Sequence, residues 1–255
     1  MKIFISKYHK LSKKNIEEIL LNFNSIGQSF FAGKKHRRNH IKVVEKEGMK
    51  FNIKSFKQPN YINRYVYVLF RESKAERSFK FAEKLIKKGI GTPKPIAFAE
   101  ETSKGALTKS FYISEHLDYD LTFRDLDLSI PGHEDILRAF TRFTFKLHEN
   151  NIEFLDHSPG NTLIQLNNGD YQFYLVDLNR MNFKPLNFPE RMKNFARLTP
   201  DREKVEIMAE EYAELIEKSE AEVFKKMWYF VNAFFINRGK KRKLKQKFKS
   251  LIGKK

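Results

Sequence analysis

Phe154-Leu155-Asp156-His157-Ser158-Pro159-Gly160-Asn161-Thr162-Leu163-Ile164, followed by Tyr174-Leu175-Val176-Asp177-Leu178-Asn179-Arg180, is the stretch that decides how this sequence is read. Asp156 and Asn161 stand five positions apart with Pro159-Gly160 between them, a loop composition. Asn161 to Leu166 and Tyr171 to Leu178 are strand-like, and Asn167-Asn168-Gly169-Asp170 between them is a strong hairpin signal. The hairpin turns Asp177 back beside the loop, so three polar groups converge at one end of an antiparallel ribbon. Asn161 and Asp177 are oxygen donors of the kind a hard Mg²⁺ takes together with waters and substrate phosphates. Asp156 is placed to accept a proton from a hydroxyl or to orient that hydroxyl. An isolated Asp-x-x-x-x-Asn is usually only a turn, because both residues favour Asx-turns. Its occurrence with a third polar group after a hairpin is what lifts it above that reading.

Outward from this ribbon, the chain changes character in a definite order. Downstream, the periodicity predicts helices over Arg202 to Lys218 and Ala221 to Asn237, with the single Trp228 among many Phe reading as core. Immediately upstream, Glu134 to Glu149 carries an apolar stripe of Leu137, Phe140, Phe143 or Thr144, and Leu147. The first third reads mostly as strands: Asn39 to Val44 and Phe51 to Phe56 around a Glu45 to Gly48 turn, then Pro95 to Glu100 and Leu107 to Ser114 around Thr102 to Gly105. Between the two strand pairs, Ser73 to Lys88 puts Ala75, Phe79, Ala82 and Ile86 on one helical face and stops at Gly89 and Thr92-Pro93. Tyr61 to Phe70 fits strand or helix. The expected organisation is α+β: a β-rich lobe over 1–114 containing the 73–88 helix, a linker at 115–120, a helical lobe over 121–237 and a basic tail at 238–255.

Composition narrows the classes. The 255 residues include 49 Lys or Arg and 31 Asp or Glu, for a net charge of +18, and no cysteine, so disulfides and cysteine-based zinc sites are excluded. An apolar fraction of 41% supplies a core. Met1 to Lys14 has no apolar h-region, and no apolar run approaches the roughly 20 residues that span a bilayer, so a soluble intracellular chain is expected. The charge concentrates in Arg238 to Lys255, where ten of 18 residues are Lys or Arg and none is acidic. Leu244, Phe248, Leu251 and Ile252 there form a narrow stripe on an otherwise basic helix, which suits an anionic membrane surface better than nucleic acid; a merely solvated tail is the plain alternative. Lys34 to Arg38 is too short a basic cluster to decide anything alone.

The loop, the hairpin and the second carboxylate together resemble the protein kinase-like phosphotransferases, which implies a bilobal fold with a β-rich N-lobe and a helical C-lobe. The wording Phe154 to Leu163 is similar to the H-x-D-x-x-P-G-N-[IL]-L loop of the lipopolysaccharide core kinases (Kdo/heptose kinases, InaA-like) of that superfamily. Ser73 to Ala97 resembles the αC helix and following strand of the same family, with its L-x-x-x-G-[IV]-x-T-P-x-P ending. Asp177 to Phe183 and Asn194 to Leu198 (NFARL) resemble its Bacteroidetes-type branch.

The resemblance implies ATP and Mg²⁺ as cofactors, Asp156 as the catalytic base, Asn161 and Asp177 as metal ligands, and Lys54 on the nucleotide phosphates, with Lys57 as the fallback. Glu115 marks the adenine-side linker, where backbone groups read the base. Four departures stand beside it. No G-x-G-x-x-G loop is present, and Gly27, Gly33 and the Lys34 to Arg38 cluster lie where a phosphate-covering strand pair belongs. Phe154 replaces the family's histidine, which implies apolar support of the loop. Ser78 occupies the αC glutamate position, with Glu76 or Glu83 as substitutes. His148 and His157 read as packing or capping residues ahead of metal ligands.

The function implied is a kinase that transfers the γ-phosphate to a sugar hydroxyl, in the lipopolysaccharide inner core (Kdo or heptose), acting on an anionic glycolipid at the inner face of the cytoplasmic membrane with the basic tail as a peripheral contact. The alternatives are a kinase for another small molecule or protein, and a non-enzymatic kinase-fold adaptor or basic nucleic-acid binder, the latter favoured by the missing glycine loop and by Ser78.

Overall fold

The structure is a computed structural model that describes residues 1–7, 11–23, 25, 27–29, 39–58, 71–167 and 169–252. Gly33, the Lys34 to Arg38 cluster and the Tyr61 to Phe70 run lie outside the described residues, as do the side chains of Phe248, Leu251 and Ile252. The chain divides into two compact units, Met1–Asp118 with Tyr174–Arg180, and Tyr119–Phe173 with Met181–Lys255.

The first unit is built on an antiparallel sheet of β1 (Lys2–Ile5), β2 (Gln28–Ser29), β3 (His40–Lys46), β4 (Met49–Ser55), β5 (Pro95–Ser103) and β6 (Ala106–Glu115), in the order β1-β5-β6-β4-β3-β2. Alternation along the central strands sends successive side chains to opposite faces. Phe51, Ile53, Ala97, Ala99, Phe111 and Ile113 pack on one face against Ile16, Ile19 and Leu20 of α1 (Lys13–Leu21). Phe98 and Tyr112 face the other side and meet Phe56 and Ala75 and Phe79 of α2 (Lys74–Lys87). Lys54 pairs across the ladder with Tyr112, which puts it on the α2 face.

Helix α2 is well specified locally. Ser73 caps it, its Oγ accepting the Glu76 N–H. At its other end Gly89 adopts φ 66° while Ile90 N–H donates to Leu85 O and Gly89 N–H to Ile86 O, the paired bonds of a Schellman ending. The apolar stripe differs from the sequence reading at its last member: Leu85 is buried and Ile86 is exposed, the terminal turn being fastened through Leu85.

In the second unit α3 (His133–Glu149), α5 (Arg202–Leu215) and α6 (Glu220–Ile252) enclose a core of Leu137, Phe140, Phe195, Met208, Tyr212 and Met227, among others. Of the two candidates on α3 the core takes Thr144, whose hydroxyl donates to Phe140 O. The short α4 (Phe188–Asn194) starts with a capping box between Asn187 and Glu190. Strands β7 (Leu121–Thr122), β9 (Thr162–Asn167) and β10 (Asp170–Leu175) form one small sheet, and β8 (Ile152–Phe154) with β11 (Met181–Phe183) another. Helix α6 runs on through residue 252, where the sequence reading ends it at Asn237. Eleven of the fifteen residues 238–252 are Lys, Arg, Leu or Gln, good helix formers that outweigh Gly239, and no proline interrupts them.

Candidate active site

Lys54 and Asp177 meet within the first unit, Nζ standing 2.6 Å from the carboxylate Oδ1. The Lys54 ammonium also lies over the Phe56 ring, 5.3 Å from its centroid. The Tyr174–Arg180 segment is fastened into this unit by its backbone. Leu175 N–H donates to Gly91 O at 2.9 Å, and the buried Thr92 hydroxyl donates to Leu175 O at 2.8 Å. That gives the Thr92-Pro93 motif a physical role beyond stopping a helix. Strand β10 ends at Leu175, short of the sequence expectation, and Asp177 then adopts φ 60°, a left-handed conformation that Asp tolerates better than most residues. Asn179 Nδ2 donates to the same carboxylate oxygen.

No glutamate of α2 reaches Lys54. Glu76 pairs with Lys80 at 2.7 Å, and Ser78 turns its hydroxyl back onto Lys74 O. Glu83 sits close enough to Tyr112 to help burial push that phenol up. The group α2 does bring toward Asp177 is a cation: Lys74 is held below the usual lysine range, first by burial and then by Arg180 and Arg77, with Asp177 opposing. Lys57 is exposed, its backbone N–H donating to Asn39 Oδ1. Glu115 ends β6 with its N–H donating to Lys94 O.

Asp156 and Asn161 sit on one loop of the second unit. Asn161 Nδ2 donates to Asp156 O at 2.9 Å, which fixes the amide. Gly160 lies close under the Arg124 guanidinium, which a Cβ at 2.9 Å would push aside. The Asp156 carboxylate pairs with Arg197 Nη2 at 3.0 Å.

Phe154 is fully buried, and His157 is stacked on Phe140 and edge-on to Phe154. The apolar half of the expected loop support is present, but polar anchors that the sequence reading missed are present too. Asn194 Nδ2 donates to Phe154 O at 2.9 Å, while its Oδ1 faces His148 Nε2 at 3.1 Å. His148 Nδ1 faces the Tyr212 hydroxyl at 2.7 Å. Because Asn194 spends its amide N–H on Phe154, its oxygen must accept, which assigns the proton of His148 to Nε2 and makes Tyr212 the donor to Nδ1. Burial pushes His148 down to about 4 and His157 down to about 3, so both rings are neutral near pH 7. The two histidines are therefore structural. Arg197 adds a second anchor, Nη1 donating to Leu155 O at 3.0 Å. Asn194 and Arg197 both belong to the NFARL stretch, which stands out in the sequence by resemblance but announces no partner.

Among the described residues no group of three or more His, Cys, Asp or Glu is placed to hold a metal. A Mg²⁺ bound with nucleotide needs less, one or two protein oxygens completed by waters and phosphates. The Asp177 carboxylate, partly exposed in the first unit, is an oxygen donor of that kind, and so is the Asn161 amide, held by its bond to Asp156 O in the second.

Residues 28–218 match the lipopolysaccharide kinase (Kdo/WaaP) family model, three quarters of the chain. The chain belongs to that family. It is 25% identical over 139 residues to the 3-deoxy-D-manno-octulosonic acid kinase of Mannheimia succiniciproducens, a match that takes in 53% of this chain and 56% of that protein. The chain thus matches little more than half the length of this relative. Among solved structures, WaaP in complex with acyl carrier protein superposes with a TM-score of 0.62 at 15% identity, over 94% of this chain and 99% of that one. The fold of this family member is therefore protein kinase-like, an antiparallel sheet followed by a helical region.

Proposed function

We propose that this family member is a Mg-ATP-dependent kinase whose acceptor is a sugar hydroxyl of the lipopolysaccharide inner core, Kdo or heptose. The observation that carries the reading is the 2.6 Å Lys54–Asp177 pair, which joins a strand lysine to the carboxylate after the hairpin, as the kinase assignment requires. In this reading Lys54 holds the α- and β-phosphates, Asp177 and Asn161 hold the metal, and Asp156 orients the acceptor hydroxyl and takes its proton. Mg²⁺, when bound, neutralises phosphate charge. Lys74, Arg77 and Arg180 supply further positive charge around Asp177, compensating in part for the missing glycine-rich loop. Glu115, its N–H already committed to Lys94, offers its carbonyl on the adenine side.

Family membership and the relative that phosphorylates 3-deoxy-D-manno-octulosonic acid support the sugar acceptor. The end of α6 supports a membrane-proximal substrate: Leu244 is exposed among lysines, and no helix among the described residues is long and apolar enough to cross a bilayer. The deciding experiment incubates the protein with labelled ATP and Mg²⁺ and core-lipid acceptors. Label in an acid-stable phosphosugar is expected; ATP binding with no transfer to any sugar acceptor, but transfer to protein or another small molecule, would reassign the acceptor.

A further inference from the structure

Arg197 joins the Asp156 loop to a groove in the second unit. The groove has a volume of about 390 Å³, and its lining includes Glu153, Leu155, Lys193, Arg197, Phe230 and Phe234. One end of the guanidinium holds Asp156 Oδ1 at 3.0 Å and Leu155 O at 3.0 Å, and its plane lies over the Phe234 ring, 5.5 Å from the centroid. Its Nε–H is buried and has no hydrogen-bond partner among the described residues. The carboxylate assigned to take the hydroxyl proton is thus tied to a cation that also faces a groove able to receive a ligand.

We infer that Arg197 is a latch opened by the acceptor: the carboxylate of a sugar acid entering the groove replaces Asp156 on the guanidinium, which seats the sugar and frees Asp156 for the hydroxyl. This rests on the kinase reading above and adds a positioning and specificity residue to it. The chemistry of the groove favours a carboxylate as the opening group. The guanidinium already binds one in this place, and its planar fork matches two carboxylate oxygens. Lys193 and Arg197 outnumber Glu153 in the lining, so the groove favours an anion. Phe230 and Phe234 give the C–H face of a sugar ring an apolar wall. Once Asp156 is released, the sugar oxygen bonds to the γ-phosphorus as the bond from that phosphorus to the ADP oxygen breaks. The hydroxyl proton passes to Asp156 and ADP leaves with the electron pair.

The test compares a core lipid bearing 3-deoxy-D-manno-octulosonic acid with the same lipid methyl-esterified at the carboxyl, for the wild type, Arg197→Gln and Arg197→Lys, and measures ADP release without acceptor. The wild type is expected to favour the free acid at least ten-fold in kcat/KM. Arg197→Gln, whose amide can still donate to Leu155 O, should raise KM for the acid about ten-fold, bring acid and ester within two-fold, and raise acceptor-free ATP hydrolysis. Arg197→Lys keeps the charge but loses the fork, and should fall between; it carries the test if the Gln variant does not fold. Wild-type preference for the acid in either variant would overturn the latch. So would a lower kcat at unchanged KM with no rise in hydrolysis, which would make Arg197 a plain support for Asp156. A wild type that transfers phosphate equally to acid and ester would overturn the latch and leave the kinase reading standing. One that transfers to neither would overturn both.

Discussion

The candidate residues of the two units are held in opposite ways. In the first unit Lys54 and Asp177 hold each other, a charge pair with the carboxylate partly open to solvent and Lys74 acting on the same carboxylate. In the second unit the backbone of the Asp156 loop rests on neutral, buried groups, Phe154 in the core, Asn194 on its carbonyl, His148 and Tyr212 behind Asn194, and one cation, Arg197, adds a bond to Leu155 O and pairs with the Asp156 carboxylate. In a charge pair of the first kind the partly exposed carboxylate can be replaced on the lysine by incoming phosphates, which carry charge of the same sign. A buried polar chain of the second kind does not exchange in this way, because each group it loses leaves another unsatisfied. The Lys54–Asp177 pair is thus built to exchange partners, and the backbone of the Asp156 loop is built to stay put.

Substitution of the charged groups breaks this contrast most directly in function. Asp156→Asn should lower turnover by about 10² or more while leaving Mg-ATP affinity near wild type, the scale expected for losing a positioned base. Lys54→Ala and Asp177→Ala should instead abolish Mg-ATP binding measured by isothermal titration, with small changes in melting temperature. Equal Mg-ATP affinity in all three variants would remove the division of labour.

The stability side of the contrast is tested at Asn194. Asn194→Leu removes one of the two donors to Phe154 O, where the His157 N–H remains, and leaves His148 Nε2 buried without its acceptor while Nδ1 keeps Tyr212, and should cost about 2 to 3 kcal/mol in urea unfolding. Lys54→Ala measured the same way should cost well under half of that. Comparable losses would mean that the charge pair is as structural as the buried chain.

A smaller effect is expected with pH. His148 and His157 are depressed in the folded protein to about 4 and about 3 from an ordinary value of 6.5. Between those values the unfolded chain binds more protons than the native one, so stability is fully present above pH 6.5 and is lost as pH falls toward 4 and then 3. Each ring should contribute about 1.5 kcal/mol of loss between pH 6.5 and 5. His157→Phe keeps the stack on Phe140 and removes the buried Nδ1 that has no partner, so it should roughly halve the acid slope attributable to the two rings. An unchanged slope over that interval would show that His157 is not buried neutral.

The smallest effect on either half concerns the end of α6. Removal of Arg238 to Lys255 should abolish co-sedimentation with anionic liposomes at low salt, at roughly 1 kcal/mol per engaged basic residue, and spare Mg-ATP binding. A truncated protein that still sediments would place the membrane contact elsewhere.

What the sequence by itself determined lies within short windows. The Ser73 cap, the Gly89 ending, the alternation in β4 to β6 and the Pro159-Gly160 loop all depend on neighbours a few positions away, and local propensity and periodicity record such neighbours directly. The resemblance added the order of those windows, which is why Lys54, Asp156, Asn161 and Asp177 were all legible as candidates. Only the tertiary structure decided their partners. That Lys54 faces Asp177 and not Glu76 or Glu83, that Asn194 replaces the missing histidine as the loop's polar anchor, and that Arg197 ties Asp156 to a groove are contacts between segments far apart in the chain. No periodicity connects such segments; their meeting is set by which elements pack together, and a buried donor is assigned its acceptor only when that packing is complete.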